Sequence, residues 1–462
     1  MNVSFKKNVL SAFGAQGVFL ASKFVTVLIL PRFLPVGEYA YWQLFLFYAS
    51  YAEYAHIGII DGVYLRCGGQ RRGEVDKAMV CSALVSMLCV VIGVATLVAA
   101  YGLLFEEDQG RRSVLLAVAI YAIVFSVYSF ISRLLQSVNE TRLSSRSVVV
   151  AQGCFIVSLV MLLFLRVDDS FAYVVCYVAC YAIALAFLLW VARDLLQGFG
   201  FRRELMPKYL SSILPSGFVL MSAGFFGVLI IGSARWIVDA FWGLEVFTYV
   251  SFAITMINFF MSFVYQAGMV LFPALRGVGE SRARGIYSKA LVGASLLFPF
   301  LYLAYYPLAW LINLWLPQYF VSTIFLIYLM PLCLFDGKMN LLFATYLKVF
   351  NKERSLLVLN VLAVALSVCL GLLSVCANSL EAVFVAIDIA VVARSIGAQI
   401  YISRSMGFPC GAKGTVVELI FSIVFVAVNV GFPSQMAFVW TAVFCMLLFL
   451  VRRNDLRSCV GD

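Results

Sequence analysis

The sequence predicts an all-α membrane protein with fourteen transmembrane helices, and three observations support that class. Of its 462 residues, 64% are hydrophobic and only 12% are charged, about half the charged share of a soluble domain. Apolar runs of membrane-spanning length follow one another almost without interruption. Lys and Arg gather in every second gap between them.

A helix rises about 1.5 Å per residue, so about 20 apolar residues cross a hydrocarbon core of about 30 Å. Spans of this kind are expected over 9–30, 39–60, 79–104, 113–135, 147–165, 171–192, 211–234, 247–270, 290–314, 321–346, 355–376, 381–402, 415–432 and 435–451. A transmembrane β-barrel would alternate apolar and polar residues, whereas 84–100 is apolar on every side, which leaves helices as the spanning element. Lys6 and Lys7 precede a full-length span with no small-residue cleavage site after it, so the first helix is read as a retained span and not as a signal peptide.

Orientation follows from the 33 basic residues. Most lie at the N-terminus or after even-numbered spans, among them Arg66, Arg71, Arg72, Lys77, Arg133, Arg142, Arg146, Arg202, Arg203, Arg276, Arg282, Lys348, Arg404 and Arg452. The odd gaps hold only Arg32, Arg111, Arg112 and Arg166. This asymmetry predicts that both termini are cytoplasmic. The formal net charge of +10 is mostly this topological signal, aided by attraction to anionic lipid, and predicts no nucleic-acid partner.

The twelve cysteines show no paired spacing and sit mostly inside spans as small apolar residues. With a single histidine, neither a metal site nor a bound cofactor is expected. No gap is long enough for a catalytic domain, so the chain is expected not to be an enzyme. A membrane glycosyltransferase or polymerase is the enzymatic alternative.

Displacing the sequence by 210 residues pairs Val9 with Val219, Leu10 with Leu220, Gly14 with Gly224, Gly17 with Gly227 and Val18 with Val228. Further along it pairs Leu34 with Leu244, Val36 with Val246, Tyr39 with Tyr249, Gly58 with Gly268, Leu65 with Leu275 and Arg66 with Arg276. Because the topology repeats six spans later, two pseudo-symmetric six-helix lobes around a cleft are predicted, with an axis along the membrane normal. The expected units are 1–210, 211–404, and a peripheral helix pair with a cytoplasmic tail over 405–462.

Charge inside a span is costly and marks candidate sites. Lys23 in span 1 either meets an anion or snorkels toward an acid on a neighbouring helix. In span 2, Tyr48 and Tyr51 suit hydrogen bonding or stacking on sugars. Glu53 and His56, three apart on the expected helix, form either an ion-coupling pair or a satisfied polar pair. Arg235 either pairs with Asp239 or faces the cleft as the counterpart of Lys23. Pro331, Asp336, Gly337 and Lys338 interrupt span 10, while Pro215, Pro299 and Pro307 provide hinges or kinks. Asp388 and Arg394 in span 12 complete the set.

The stretches Leu30-Pro31-Arg32-Phe33-Leu34-Pro35, Gly37-Glu38-Tyr39-Ala40, Gly58 and Asp61-Gly62-Val63-Tyr64-Leu65-Arg66, after a Lys6-Lys7-Asn8 start, resemble the opening of Wzx-type polysaccharide flippases. Arg235-Trp236-Ile237 and 244–249 resemble the family's seventh and eighth spans. Pro35 stands where the family often has Gly. The resemblance places the chain in the superfamily of lipid II flippases and multidrug and toxic-compound extrusion (MATE) transporters, and implies a V-shaped fold in a bacterial inner membrane.

It further implies that the chain moves undecaprenyl-diphosphate-linked oligosaccharides between leaflets for O-antigen or capsule assembly. A polysaccharide polymerase and a chain-length regulator would be its partners, with H⁺ or Na⁺ as the coupling ion. On this reading Lys23, Arg235, Lys338, Arg394, Tyr48 and Tyr51 contact substrate, and Glu53, His56, Asp336 and Asp388 serve ion coupling. An ion-coupled drug antiporter of the same fold is the alternative, since the buried charges balance. A major-facilitator carrier is disfavoured by the spacing of Gly58, Asp61, Arg71 and Arg72.

Overall fold

The computed structural model describes residues 3–196, 206–276 and 279–460, and contains only helices and turns among them. Eleven described helical runs are long and apolar enough to cross a membrane. The fourteen-span expectation differs because span 2 is interrupted, spans 7 and 8 run together, and the apolar part of span 14, Ser434–Leu450, is shorter than a full crossing.

Span 1 is helix α1, Val3–Phe24, continued through a wide π turn at Val25–Ile29 to Phe33. Span 2 is not one helix. Helix α2, Val36–Ala52, ends near mid-span, and α3, Ile59–Cys67, starts only after a non-helical turn. There follow α4 (Lys77–Leu104), α5 (Gln109–Ser137), α6 (Thr141–Phe164) and α7 (Ser170–Val191). Asp76, Asp108 and Asp169 cap α4, α5 and α7 by accepting N–H groups of the first turn, the task for which a short carboxylate side chain is suited.

Helix α8, Met206–Arg276, joins the expected spans 7 and 8. Its break is Gly243, at φ 84° and ψ 175°, a conformation open to glycine and strained for other residues. Span 9 is composite: α9 (Glu280–Leu297), a 3₁₀ stretch begun by Phe298 and Pro299, and α10 (Tyr305–Trp315). Helix α11, Ser322–Lys338, holds Pro331 internally and continues into a π turn at Met339–Phe343. Helices α12 (Glu353–Cys376), α13 (Leu380–Met406), α14 (Ala412–Gly431) and α15 (Ser434–Val460) complete the chain.

The chain divides into two compact units, 1–225 and 226–462, with the division inside α8. In the first unit, α2, α5, α6 and α7 share an aromatic core. Trp42 stacks on Phe155 at 5.9 Å, and Tyr177 meets Trp42, Phe45 and Phe155 edge-on. In the second, α11 packs on α13 and α14, and α15 packs on α9.

One end of the first unit is tied by Arg72, which lies in the loop before α4. Its Nε donates to Asp194 Oδ2 at 2.9 Å, Nη1 to Glu140 Oε2 at 2.5 Å and Nη2 to the Val191 carbonyl at 2.7 Å. Three segments remote in sequence converge on one guanidinium, whose rigid fork suits multiple acceptors. The Arg72 hydrogen bond holds the Asp194 carboxyl below its ordinary range. A depressed carboxyl contributes stability that is present above its unfolded value of about 3.9 and is lost as pH falls through the folded value. Arg72→Ala should therefore melt at a lower temperature than wild type near neutral pH, with the difference shrinking below about pH 3. Thermal unfolding followed across that pH range checks it.

Candidate functional site

In the first unit, the site is the interruption of span 2. Residues 53–58 leave the helix, and Ile57 and Gly58 both take left-handed backbone at φ 49° and 83°. Gly58 is required there twice over, because a Cβ would also lie 2.6 Å from the backbone of Gly217 in α8. The His56 ring closes the turn, its Nδ1 accepting the Gly58 N–H at 3.0 Å. That bond leaves Nε2 as the ring's N–H position, 3.9 Å from Asp61 Oδ2. On the other Asp61 oxygen, Arg133 of α5 donates from Nη1 at 3.0 Å.

The expected pairing of Glu53 with His56 on one helical face does not form, because the chain between them is not helical. Glu53 instead keeps an exposed side chain while feeling the charges of Arg133 and Lys23. Lys23, in the last turn of α1 ahead of the π segment, has its ammonium 4.8 Å from the centre of the Phe19 ring. Tyr48 and Tyr51 flank the same stretch of α2, each in ring contact with Phe47 at 5.4 and 5.2 Å. The first unit thus gathers two cations, an accessible carboxylate and two tyrosines around a break in the helix.

Arg133 and Asp61 were not among the expected site residues. Arg133 lies near the end of a span and reads as part of the topological charge, and Asp61 lies just beyond the expected end of span 2. The available signal was a carboxylate eight residues after another at a span end, with glycines at both 58 and 62.

The second unit is organised differently. Asp336 Oδ1 accepts from Arg394 Nη2 at 2.5 Å, and its Oδ2 from Tyr265 at 3.1 Å and Asn340 at 2.9 Å. Lys338 Nζ donates to both oxygens of Glu418, at 2.5 and 2.6 Å, and to Ser295 Oγ at 2.7 Å. Lys338 is 2% and Glu418 0% exposed, and the buried ammonium has three protein oxygens as acceptors. Expected as substrate contacts, Lys338 and Arg394 here serve as internal counterions that fasten α11 to α14 and to α13. Asp336, expected in ion coupling, is the other half of one of these pairs. Glu418 was missed because it is the single charge of an otherwise apolar span and reads as its edge.

Asp388 of α13 keeps one carboxyl oxygen, Oδ1, buried without a hydrogen-bond partner among the described residues. The hydroxyl of Tyr302 and the thiol of Cys333 lie within its electrostatic reach. Arg235, half-buried in α8, donates from Nε to Ser251 Oγ at 3.0 Å and lies 5.2 Å over the Phe247 ring.

No protein-family model and no curated protein matches the sequence. Solved structures do match in fold. The chain is similar to the lipid II flippase MurJ in an inward closed conformation, with a TM-score of 0.70 at 10% identity, 98% of this chain and 99% of that one being covered. It is similar to an inward-facing multidrug resistance MATE family transporter of the MOP superfamily, with a TM-score of 0.56 at 15% identity over 85% and 94% of the two chains. It also resembles a MATE in complex with MaL6, with a TM-score of 0.57 at 11% identity over 87% and 96%. The expected MATE-like helical fold is therefore present, and it is the fold of flippases and transporters.

Breaking one partner of a buried ion pair strands the other charge, at a cost of about 3–5 kcal/mol, whereas replacing both by apolar residues is often near neutral. Glu418→Gln should therefore lower the unfolding temperature strongly. The double variant Lys338→Met with Glu418→Leu should recover most of that loss in the same thermal assay.

Proposed function

We propose that this chain is a flippase that moves undecaprenyl-diphosphate-linked oligosaccharide repeat units from the cytoplasmic to the outer leaflet of a bacterial inner membrane. The mode is alternating access with both termini cytoplasmic, the coupling ion is H⁺ or Na⁺, and the product feeds O-antigen or capsule assembly. The single observation that carries the reading is the group at the break of span 2, where Arg133 donates to Asp61 at 3.0 Å beside the exposed Glu53, in a chain with a MurJ-like fold.

A diphosphate crossing apolar lipid needs cations that are held deep in the protein yet reachable, and a glycan needs hydroxyl and ring partners such as Tyr48 and Tyr51. Arg235 is the corresponding accessible cation of the second unit. Lys338 and Arg394 neutralise carboxylates in the same core and support the fold on which the path is built. Glu53 and Asp388 are the carboxylates left to carry a coupling ion, since Asp336 is held by Arg394. A polymerase and a chain-length regulator would act on the product.

The second reading, a MATE-like exporter of cationic drugs, is favoured by the MATE structures the fold resembles. The two are distinguished by the sign of the ligand charge: cations beside the accessible carboxylate suit an anionic headgroup.

Deleting the gene should abolish surface polysaccharide while lipid-linked repeat units stay in the inner leaflet. Normal polysaccharide in the deletion strain overturns the reading. In complementation, Lys23→Ala should reduce export by about ten-fold, the equivalent of one charge-assisted hydrogen bond. Lys23→Arg should be partly active.

A further inference from the structure

We propose that His56 is the proton-operated latch of span 2: its neutral ring holds the left-handed turn at Ile57–Gly58 closed, and a proton on Nδ1 releases that turn and the seat of α3 against α8. The inference deepens the ion-coupled reading above and rests on it for its role in transport. The latch itself stands on geometry alone.

A neutral imidazole has one nitrogen that donates and one that accepts. Here the accepting nitrogen is assigned by its partner, because the Gly58 backbone N–H points at Nδ1 at 3.0 Å. The ring is buried at 5% exposure, so no bulk water competes for that bond. A proton arriving from water adds to the Nδ1 lone pair, the N–H···N bond breaks, and two donors then face each other. The Gly58 amide must find another acceptor, which requires the turn to move.

The turn is poised for movement. Ile57 is β-branched and sits at φ 49°, a strained conformation that persists only where the surroundings enforce it. A side-chain cap two residues upstream is such an enforcement. Beyond the turn, α3 is seated by backbone-to-backbone contact: Gly58 lies against Gly217, and Gly62 against Ile213, with no room for a Cβ at either glycine. Contacts this close between backbones cannot adjust gradually, so loss of the cap is transmitted as a shift of α3.

The charges facing the ring set the outcome of its protonation. Asp61, on α3 itself, lies 3.9 Å from Nε2 and shares its carboxylate with Arg133 from α5. Glu53 and Tyr54 stand on the same turn, with Lys23 from α1 beside Glu53. The stretch of α8 against the turn, 213–221, has no ionisable residue. An imidazolium would thus be drawn to Asp61 and would compete with Arg133 for it. Protonation then both opens the turn and loosens the Arg133–Asp61 bond, which alters the cation next to Glu53.

The test uses the full chain in lipid nanodiscs, with hydrogen–deuterium exchange read on peptides covering 53–62. Between about pH 7.5 and about pH 3.5, a range wide enough for a buried imidazole facing Arg133 to charge, wild type should gain about ten-fold exchange at 57–59 beyond the intrinsic pH dependence. His56→Asn is the informative variant, because an Asn side chain accepts a backbone N–H two residues on and cannot gain a proton. It should keep the turn closed at both pH values, whereas His56→Leu should exchange rapidly at both.

No acid-dependent gain in wild type, or an undiminished gain in His56→Asn, overturns the latch. In proteoliposomes given an undecaprenyl-diphosphate-linked oligosaccharide, His56→Asn should move substrate without the wild-type dependence on a proton gradient. Absence of any wild-type transport there, with the exchange pattern intact, overturns the flippase reading and leaves the latch standing.

Discussion

A charge held away from water must be answered inside the protein, and the second unit is built around two such answers. Lys338 with Glu418 and Arg394 with Asp336 are four ionised groups in a region that would reject any one of them alone. Each pair joins two helices, so the arrangement of α11, α13 and α14 follows from where the charges lie as much as from apolar packing. Between hydrocarbon-exposed helices the hydrophobic effect gives little attraction, and polar contacts and close packing set the register. Helix α14 shows both sides of this: Val416, Ile420 and Ile423 face outward, while Glu418 is drawn fully inside.

The first unit handles the same constraint in a different way. Its polar residues gather at a place where the helix has been given up, and the backbone groups released there find local partners, such as the His56 ring for the Gly58 amide. A helix interruption at membrane depth is tolerated where it is buried in protein or lines a wet space. Glu53 and Arg133 keep exposed side chains beside that interruption, whereas Lys338 and Glu418 are sealed. The contrast separates charges that are sealed inside the fold from charges whose side chains stay exposed.

Much of the architecture was legible in the sequence because it depends on composition over long windows. Spanning length and apolar composition, which predict an all-helical membrane fold, are each summed over many residues. Their meaning survives local irregularity. The site was legible only in part. Lys23, Glu53, His56, Asp336, Lys338, Asp388 and Arg394 were visible as charges within spans, but their pairings depend on helix packing that no spacing rule encodes. The break at Glu53–Gly58 was hidden because Glu53 and His56, three apart, fit one face of a continuous helix equally well. Only the left-handed backbone at Ile57 and Gly58 distinguishes it. Glu418 was hidden for the opposite reason: a lone charge near a span end looks like a boundary until a lysine on another helix is found against it.

These differences also explain why spans 1 and 10 each carry a wide π turn just after an intramembrane lysine, at Val25–Ile29 and Met339–Phe343. A π turn carries an extra residue and rotates everything beyond it relative to a regular helix. In span 10 that shift lets Asn340 donate back to both the carbonyl and the carboxylate of Asp336 while Lys338 points to α14. Two residues only two positions apart thereby serve different neighbouring helices. In span 1, Thr26 donates to the carbonyls of Ser22 and Lys23 inside the corresponding stretch, so the lysine's own backbone is held where the helix widens. Irregular turns are therefore placed where a charge has to be aimed, and the regular helices between them supply the frame against which it is aimed.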